Sequence, residues 1–410
     1  MIMLKLKIKK RNDFYYILKF TLLLNSISHF LENVLHIGNV YYMSYICWMI
    51  LFLYTLFIRS KIRKREIAIA SVILMIFIMG AFSGLKLYGN TFLDLHLGVF
   101  TCMAYIVAMG VKTTGGLNQE EIYGLLETLI FIGILACLYA MIFQGSYAVL
   151  VLKRIDVGWN SWFYTSFFAQ RNIFGEYCFL ATVAALYIFL IKKMKKYLFF
   201  IALMGLQICI TNSRAALIAY CLVIGLSIYN IAKNKIVIIV MAFASLLFFA
   251  SGFDIYGIIM SRMSHITSDG IDSGMIRINM WKDIIKEIEL NRGIFCGYGL
   301  GSIEKFLYPI YEVGSSHNSY IDAIFSGGIL YFTIVIYAII YSFKRIIKNQ
   351  DQQYKIIFLA AFISFMVYNS FEAGMSLFSS NYFSVIATLI FILFPRLYLK
   401  PSNKCVIKES

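Results

Sequence analysis

The sequence predicts an all-α fold, a polytopic membrane bundle of about 12 transmembrane helices with both termini in the cytoplasm. Hydrophobic residues make up 60% of the 410 residues and charged residues only 14%. Soluble domains contain about 45–50% apolar and about 25% charged residues. The apolar residues also lie in long continuous runs, with only 3 prolines in the chain. This pattern favours helices over the short alternating segments of a membrane β-barrel.

The apolar runs are separated by short polar segments, and most runs approach the roughly 20 residues that one membrane span needs. The whole chain, residues 1–410, is therefore predicted to be a single transmembrane domain. The predicted spans lie at 14–31, 40–58, 67–83, 93–111, 122–144, 175–191, 197–210, 215–232, 236–252, 318–343, 356–372 and 381–394.

The distribution of positive charge predicts the orientation of these spans. The segments on the side of the N-terminus hold 25 of the 37 Lys and Arg, and the segments on the other side hold 11. Such an excess marks cytoplasmic loops. The cations form short clusters beside apolar runs and no single basic face, so nucleic acid is not an expected partner. The expected surroundings are the lipid bilayer.

Two segments on the predicted outer side are too long to be simple connections, since helices that neighbour one another in a bundle are joined by short loops. These loops span residues 145–174 and 253–317. The second contains a predicted amphipathic helix from Met275 to Leu290, followed by a stop signal at 291–293. Function is expected in this large outer loop and in the spans beside it.

Four polar residues at outer span ends are candidates for chemistry. Arg214 directly follows a span, Arg277 opens the amphipathic helix, and Arg171 precedes the sixth span. A guanidinium is a permanently charged, forked donor that suits phosphate oxygens. Contact with lipid headgroups is the alternative for Arg214 and Arg171, and a solvated helix-end charge is the alternative for Arg277. His317 begins the tenth span, and histidine suits proton transfer near neutral pH. A structural hydrogen bond is its alternative role.

No metal site and no cofactor are expected. The 8 cysteines are scattered without a Cys-x-x-Cys pair, and the outer loops lack an Asp-x-Asp pair. The glycine-rich run from Gly297 to Ser302 follows no predicted strand, so it is interpreted as tight turns and not as a phosphate-binding loop. Asp94 and Glu127 lie within spans, where ionisable residues are costly and often functional. These two acids support a transporter as the alternative class of protein.

Five short motifs follow one another between about residues 160 and 340. They are Asn172-Ile173-Phe174-Gly175, Ser213-Arg214-Ala215-Ala216-Leu217, Arg277-Ile278-Asn279-Met280-Trp281, the turn 297–302, and His317-Asn318-Ser319-Tyr320 followed by Gly327-Gly328. In order and spacing they resemble the O-antigen ligase and O-antigen polymerase superfamily of bacterial membrane glycosyltransferases.

The resemblance implies a metal-independent enzyme of the bacterial cytoplasmic (inner) membrane, with its active site facing the periplasm or the cell exterior. The implied donor is a glycan carried on undecaprenyl pyrophosphate. For Arg214 and Arg277 the resemblance implies binding of the pyrophosphate, and for His317 it implies positioning or deprotonation of the acceptor hydroxyl. The further candidates for contact with pyrophosphate or glycan are Arg171, Asn172 and Asn318.

Within the superfamily two activities stay open. A polymerase joins lipid-linked repeat units of an O-antigen or capsule, whereas a ligase moves finished glycan to lipid A-core or another acceptor. The polymerase is favoured because such enzymes are numerous and diverse, and a chain-length regulator protein is its candidate partner. A transporter or flippase would show internal repeats and interrupted spans that meet near the bilayer midplane. The sequence shows no convincing repeat.

Overall fold

A computed structural model describes residues 2–38, 42–57, 62–89, 92–111, 117–153, 155–168, 170–231, 271–291, 293–349, 352–372 and 382–397. The regular structure of these residues is helical throughout, without a β-strand. The all-α prediction is confirmed for this part of the chain.

The helices in chain order are α1 (Ile2–Asn33), α2 (Tyr42–Phe57), α3 (Lys64–Tyr88), α4 (Phe92–Gly110), α5 (Gln119–Phe143), α6 (Gly145–Leu152), α7 (Val157–Trp162), α8 (Arg171–Lys192), α9 (Lys196–Thr211), α10 (Arg214–Ile231), α11 (Ile271–Leu290), α12 (Ser302–Tyr311), α13 (Ser319–Ile347), α14 (Gln352–Asn369), α15 (Tyr382–Thr388), a π-helical turn (Leu389–Leu393) and α16 (Phe394–Leu397).

Four of these helices, α3, α5, α8 and α13, are long and apolar enough to cross a membrane. Shorter apolar helices accompany them, among them α2, α9 and α14. Each predicted span except 236–252 falls on a helix, and 236–252 lies outside the described residues. The chain is therefore built as a membrane protein, while the number of spans and the orientation of the termini stay predictions.

The centre of the bundle is α8, whose most apolar stretch is 94% buried by packing against α5, α9, α10 and α14. Small residues allow helices to approach closely. A Cβ atom on Gly175 would lie 2.9 Å from the Cβ atom of Ser213. The first turn of α8 is therefore held against the turn that connects α9 to α10, directly before Arg214.

The predicted amphipathic helix is confirmed as α11, which begins at Ile271, earlier than predicted, and ends at Leu290 as predicted. Its buried face carries Met280, Ile284 and Ile288, which pack in a second hydrophobic cluster with residues of α12, α13 and the preceding loop. Because this apolar stripe is buried in a cluster separate from the main core, it holds α11 against α12 and α13.

Tyrosine hydroxyls add polar anchors to α11. Tyr88, at the end of α3, donates a hydrogen bond to the Glu287 carboxylate, and Tyr311, at the end of α12, donates to the Asp283 carboxylate. The bond to Asp283 raises the pKa of Tyr311 to about 12. Since this phenol stays protonated at neutral pH, it remains a donor, and α11 is tied to both neighbouring helices.

The span α13 is interrupted at Gly328, whose backbone (φ 65°, ψ −169°) is not helical. The loop before α12 fills the gap with main-chain hydrogen bonds. The Tyr298 N–H donates to the Phe325 carbonyl at 2.9 Å, and the Ile329 N–H donates to the Ile294 carbonyl at 2.7 Å. Backbone groups freed by the break are thus satisfied by protein, as burial in a bundle requires.

The glycine-rich run is confirmed as tight turns beside this break. Gly297 (φ 63°) and Gly299 (φ 93°) adopt left-handed conformations that favour glycine. On the facing helix α3, a Cβ atom on Gly84 would lie 2.0 Å from the Tyr298 carbonyl oxygen. Glycines on both sides therefore let main chain pack directly on helix, and no phosphate-binding loop is formed.

Candidate functional site

The candidate site is built around Glu372, which directly follows the short turn at residues 370–371 after the end of α14. One carboxylate oxygen, Oε2, lies 3.2 Å from His317 Nδ1. The other, Oε1, accepts a hydrogen bond from Asn172 Nδ2 at 3.0 Å and lies 3.8 Å from Arg277 Nη2. Glu372 therefore joins groups from α8, α11 and the start of α13, which are far apart in sequence.

The three ionisable side chains of the site differ in how far they are exposed to solvent. Glu372 is 12% exposed, whereas His317 and Arg277 are 30% and 34% exposed. The carboxylate thus lies behind the histidine and the arginine, which face outward. A partly buried carboxylate interacts with neighbouring cations more strongly than an exposed one would, because water screens it less.

His317 has a left-handed backbone with φ 53°, a conformation that costs a non-glycine residue energy and persists only where its surroundings impose it. The preceding residue supplies the restraint. Trp281 Nε1 donates to the Ser316 carbonyl at 2.8 Å, and the Ser316 N–H donates to Asp322 Oδ1 at 3.1 Å. The imidazole is therefore presented from a backbone fixed on both sides.

The two residues that follow His317, Asn318 and Ser319, join α13 to the end of α14. Asn318 Oδ1 caps α13 by accepting from N–H groups of its first turn, while its Nδ2 donates to the Ser370 carbonyl at 3.2 Å. Ser319 Oγ lies 2.8 Å from Asn369 Oδ1 and 3.0 Å from the Glu372 carbonyl. The structure thus gives Asn318 a structural role, and its predicted contact with substrate stays a prediction.

Arg277 lies at the site but is partly committed to protein. Its Nη1 donates to the Phe371 carbonyl at 3.1 Å, and its Nη2 faces Glu372 Oε1 at 3.8 Å. A guanidinium has five N–H donors, so others remain for an anion. Arg277 and Trp281 are one turn apart on α11. Arg277 contacts Glu372 and Trp281 contacts the residue before His317, so α11 borders the site at both of these groups.

Arg214 is the first residue of α10, and its side chain is exposed. Its guanidinium forms no hydrogen bond or ion pair with the residues that the structure describes. The turn before it packs on Gly175, three residues after Asn172. Arg214 is therefore anchored by its backbone at the same end of the bundle as the Glu372 cluster, with its charge uncommitted.

Arg171, predicted as a further cation of the site, contacts α7. Its Nη1 donates to Ser161 Oγ, and its guanidinium carbon lies 4.7 Å from the centre of a Trp162 ring. Both partners belong to α7, in the shorter predicted outer loop. The structure thus brings together Asn172, Arg277, His317 and Asn318, and the contact of Arg171 with substrate stays a prediction.

Of the two acids that supported a transporter, the structure describes the side chain of Glu127. Its Oε1 accepts a hydrogen bond from Tyr197 OH at 2.9 Å, which links α5 to α9, and the side chain of Asp94 is outside the described set. The interruption of α13 is filled by main chain. Within the described ranges, no three His, Cys, Asp or Glu side chains are placed to hold a metal ion.

Glu372 is the site residue that the sequence reasoning missed. It closes the predicted span 356–372 and is an acid at a predicted outer span end. The same criterion that selected His317 and Arg214, a polar group where an apolar run meets the outer loops, would have selected it.

A comparison with protein-family models finds an O-antigen ligase domain over residues 199–336. A search of curated proteins found no match. The matched segment runs from α9 into α13 and contains Arg214, Arg277 and His317, while Asn172 and Glu372 lie outside it. Residues 199–336 are therefore similar to the O-antigen ligase family, and the resemblance to the O-antigen ligase and polymerase superfamily is confirmed for this segment.

Proposed function

We propose that this protein is a glycosyltransferase that polymerises repeat units of an O-antigen or capsule. It transfers the glycan from undecaprenyl pyrophosphate to a sugar hydroxyl of another lipid-linked glycan at the outer face of the bacterial cytoplasmic membrane. The observation that supports this proposal is the pairing of His317 with Glu372 beside Arg277, at one end of a membrane bundle that carries an O-antigen ligase domain.

The base in this mechanism is His317. A carboxylate on Nδ1 favours the tautomer with its proton on Nδ1, which leaves Nε2 as the proton acceptor. The acceptor hydroxyl loses its proton to Nε2 as its oxygen forms the new bond to the anomeric carbon. Glu372 then stabilises the imidazolium that forms, by the same division of roles that an acid–histidine pair has in other enzymes.

The leaving group is undecaprenyl pyrophosphate, which takes the electron pair of the broken bond between the anomeric carbon and the phosphate oxygen. Cations that are already in place stabilise the charge that develops there. Arg214 is free of described partners and Arg277 keeps donors beyond its contacts with Phe371 and Glu372. Two arginines supply this stabilisation without a metal in the proposed mechanism.

Reconstitution tests the proposal. Purified protein receives one undecaprenyl-pyrophosphate-linked repeat unit and no other acceptor, and the products are separated by size. We expect a ladder spaced by one repeat, which forms about 10²-fold more slowly with Arg214→Ala and at the wild-type rate with Lys153→Ala, which removes an exposed cation from the end of α6. A chain-length regulator added as partner should change the length of the ladder and not its spacing.

The outcomes separate the alternatives. Product that forms only when lipid A-core or another acceptor is supplied identifies a ligase, which uses the same donor. Absence of product with every acceptor, together with movement of the lipid-linked glycan across the bilayer, contradicts the enzyme and supports a flippase. A ladder that forms at the wild-type rate in folded Arg214→Ala protein contradicts the role of Arg214.

A further inference from the structure

A second group of arginines lies at the other end of α13. The arginine–tyrosine cluster consists of Arg65 at the start of α3, Tyr337, Tyr341 and Arg345 near the end of α13, and Arg396 in α16. Arg345 lies near the end of α13, whereas His317 lies just before its start. Because α13 is long and apolar enough to cross a membrane, we expect the two groups at opposite membrane surfaces.

The arginines of the cluster are held on aromatic rings. The guanidinium carbon of Arg65 lies 5.8 Å from the ring centre of Tyr337, whose hydroxyl accepts from Arg65 Nη2 at 2.9 Å. The guanidinium carbons of Arg345 and Arg396 lie 5.4 Å and 5.0 Å from the ring centre of Tyr341. One ring therefore receives two cations, which come from different helices.

The charges of the cluster are not balanced within the part of the chain that the structure describes. The carboxylate of Glu66, which adjoins the cluster, is buried and is contacted by Arg65 Nη2 at 3.0 Å and by Tyr105 OH at 2.9 Å. Neither Arg345 nor Arg396 forms an ion pair with a described carboxylate. Two like charges on one ring repel each other, and a bound anion would remove that repulsion.

We propose that the arginine–tyrosine cluster binds the phosphate headgroup of an anionic membrane lipid. Planar guanidinium groups match phosphate oxygens in geometry and charge, and basic pockets between transmembrane helices are sites for such headgroups. The cluster borders an apolar surface that suits acyl chains, because Ile340, Phe343 and Ile347 of the same helix are exposed. Tyrosine rings also favour the headgroup level of a bilayer.

This site is independent of the proposed transferase activity, and lipid retention by the purified protein tests it. Protein in a neutral detergent is mixed with equal amounts of phosphatidylglycerol and phosphatidylcholine, and native mass spectrometry counts the lipids retained. We expect preferential retention of phosphatidylglycerol. Arg345→Gln should lower it about fivefold, since one cation near a membrane surface contributes about 1 kcal/mol to anionic lipid binding.

The choice of Arg345 keeps the test interpretable. Arg345 is exposed, and its Nε donates to Tyr341 OH of its own helix at 3.0 Å, so its removal leaves Glu66 paired. Arg345→Lys should fall between wild type and Arg345→Gln, because it keeps the charge and loses the planar fork. The matched control is Lys195→Gln, which removes an exposed cation between α8 and α9 at the same end of the bundle and should retain lipid as wild type does.

Several outcomes would overturn the proposal. Equal retention of the two lipids, unchanged retention in Arg345→Gln, or an equal loss in Lys195→Gln would leave no specific site. Full displacement of the lipid by excess inorganic phosphate would assign the cluster to a free phosphate and not to a lipid. An unchanged melting temperature of Arg345→Gln in lipid-free detergent separates lost binding from lost folding.

Discussion

The two ends of α13 use arginine in opposite ways. At one end Arg277 faces Glu372, a carboxylate that also contacts His317 and Asn172, so positive and negative groups alternate. At the other end Arg345 and Arg396 share a tyrosine ring without a described carboxylate. In the proposed mechanism the first arrangement positions groups that move a proton, and in the proposed lipid site the second leaves net positive charge for a bound anion. The two ends of α13 therefore differ in the groups that their arginines contact, and not in residue type.

The largest effect is expected at Glu372. Glu372→Gln keeps the shape of the side chain and removes its charge, so His317 loses the group that orients it and stabilises its protonated form. We expect transfer by the reconstituted enzyme to fall about 10²–10⁴-fold, the contribution of a positioned proton-transfer group. Single-turnover assays with one lipid-linked repeat unit measure this loss of transfer rate.

A double variant tests whether the pair acts as a unit. Residues that act together lose activity non-additively. The Glu372→Gln/His317→Ala protein should therefore be no slower than His317→Ala alone. Multiplied losses in the double variant would show independent roles and contradict the proposed mechanism.

The two arginines of the site should differ in a way that their contacts explain. Arg214→Ala should lower kcat/KM about 10²-fold, as loss of one preorganised donor to developing charge does. Its melting temperature should stay that of wild type because the exposed side chain forms no hydrogen bond or ion pair with a described residue. Arg277→Ala should lose comparable activity and also about 1 kcal/mol of stability, since it breaks the hydrogen bond to the Phe371 carbonyl. Equal melting temperatures of the two variants would contradict this distinction.

Gly328, where α13 is interrupted, lies between the two ends of that helix. A side chain should not be tolerated at this position. A Cβ atom would lie 2.3 Å from the Phe295 carbonyl carbon, and the residue has a positive φ. Strained backbone of this kind costs about 1–3 kcal/mol before the steric clash is added. Gly328→Ala should therefore lower the melting temperature in detergent. Gly225→Ala should not, because among the described residues no heavy atom beyond the neighbouring backbone of α10 lies within 4 Å of the position that its Cβ atom would take.

The indole of Trp281 should have a smaller effect, restricted to positioning. Trp281→Phe keeps an aromatic ring in the hydrophobic cluster and removes the N–H that holds the Ser316 carbonyl at 2.8 Å. One neutral hydrogen bond contributes about 1 kcal/mol, so we expect kcat to fall about fivefold with KM unchanged. Ile285→Ala, on the exposed face of the same helix, is the control. A change in KM alone would assign Trp281 to substrate binding.

Hydropathy predicted the helices well, because apolar runs of span length leave the chain few alternatives to helix in a membrane. The 3.6-residue spacing likewise predicted α11 to its last residue. Glu372 was missed because its importance comes from Asn172, Arg277 and His317, which only the tertiary fold brings together. A pattern along the chain reports which segments are helical, and not which distant side chain each residue meets.

Arg171 and Asn172 show the same limit at two adjacent residues. Neighbours on a helix point about 100° apart, since one turn takes 3.6 residues. On the first turn of α8 this rotation sends Asn172 to Glu372 and Arg171 to Ser161 and Trp162. We therefore expect the smallest effect from Arg171→Gln, a change in transfer rate below about twofold, within the range of a surface charge removed from a site. Asn172→Asp is the informative comparison, because it places a second carboxylate against Glu372 and should slow transfer strongly. A rate in Arg171→Gln as low as that of Arg214→Ala would return Arg171 to the site and show that α7 releases it when substrate binds.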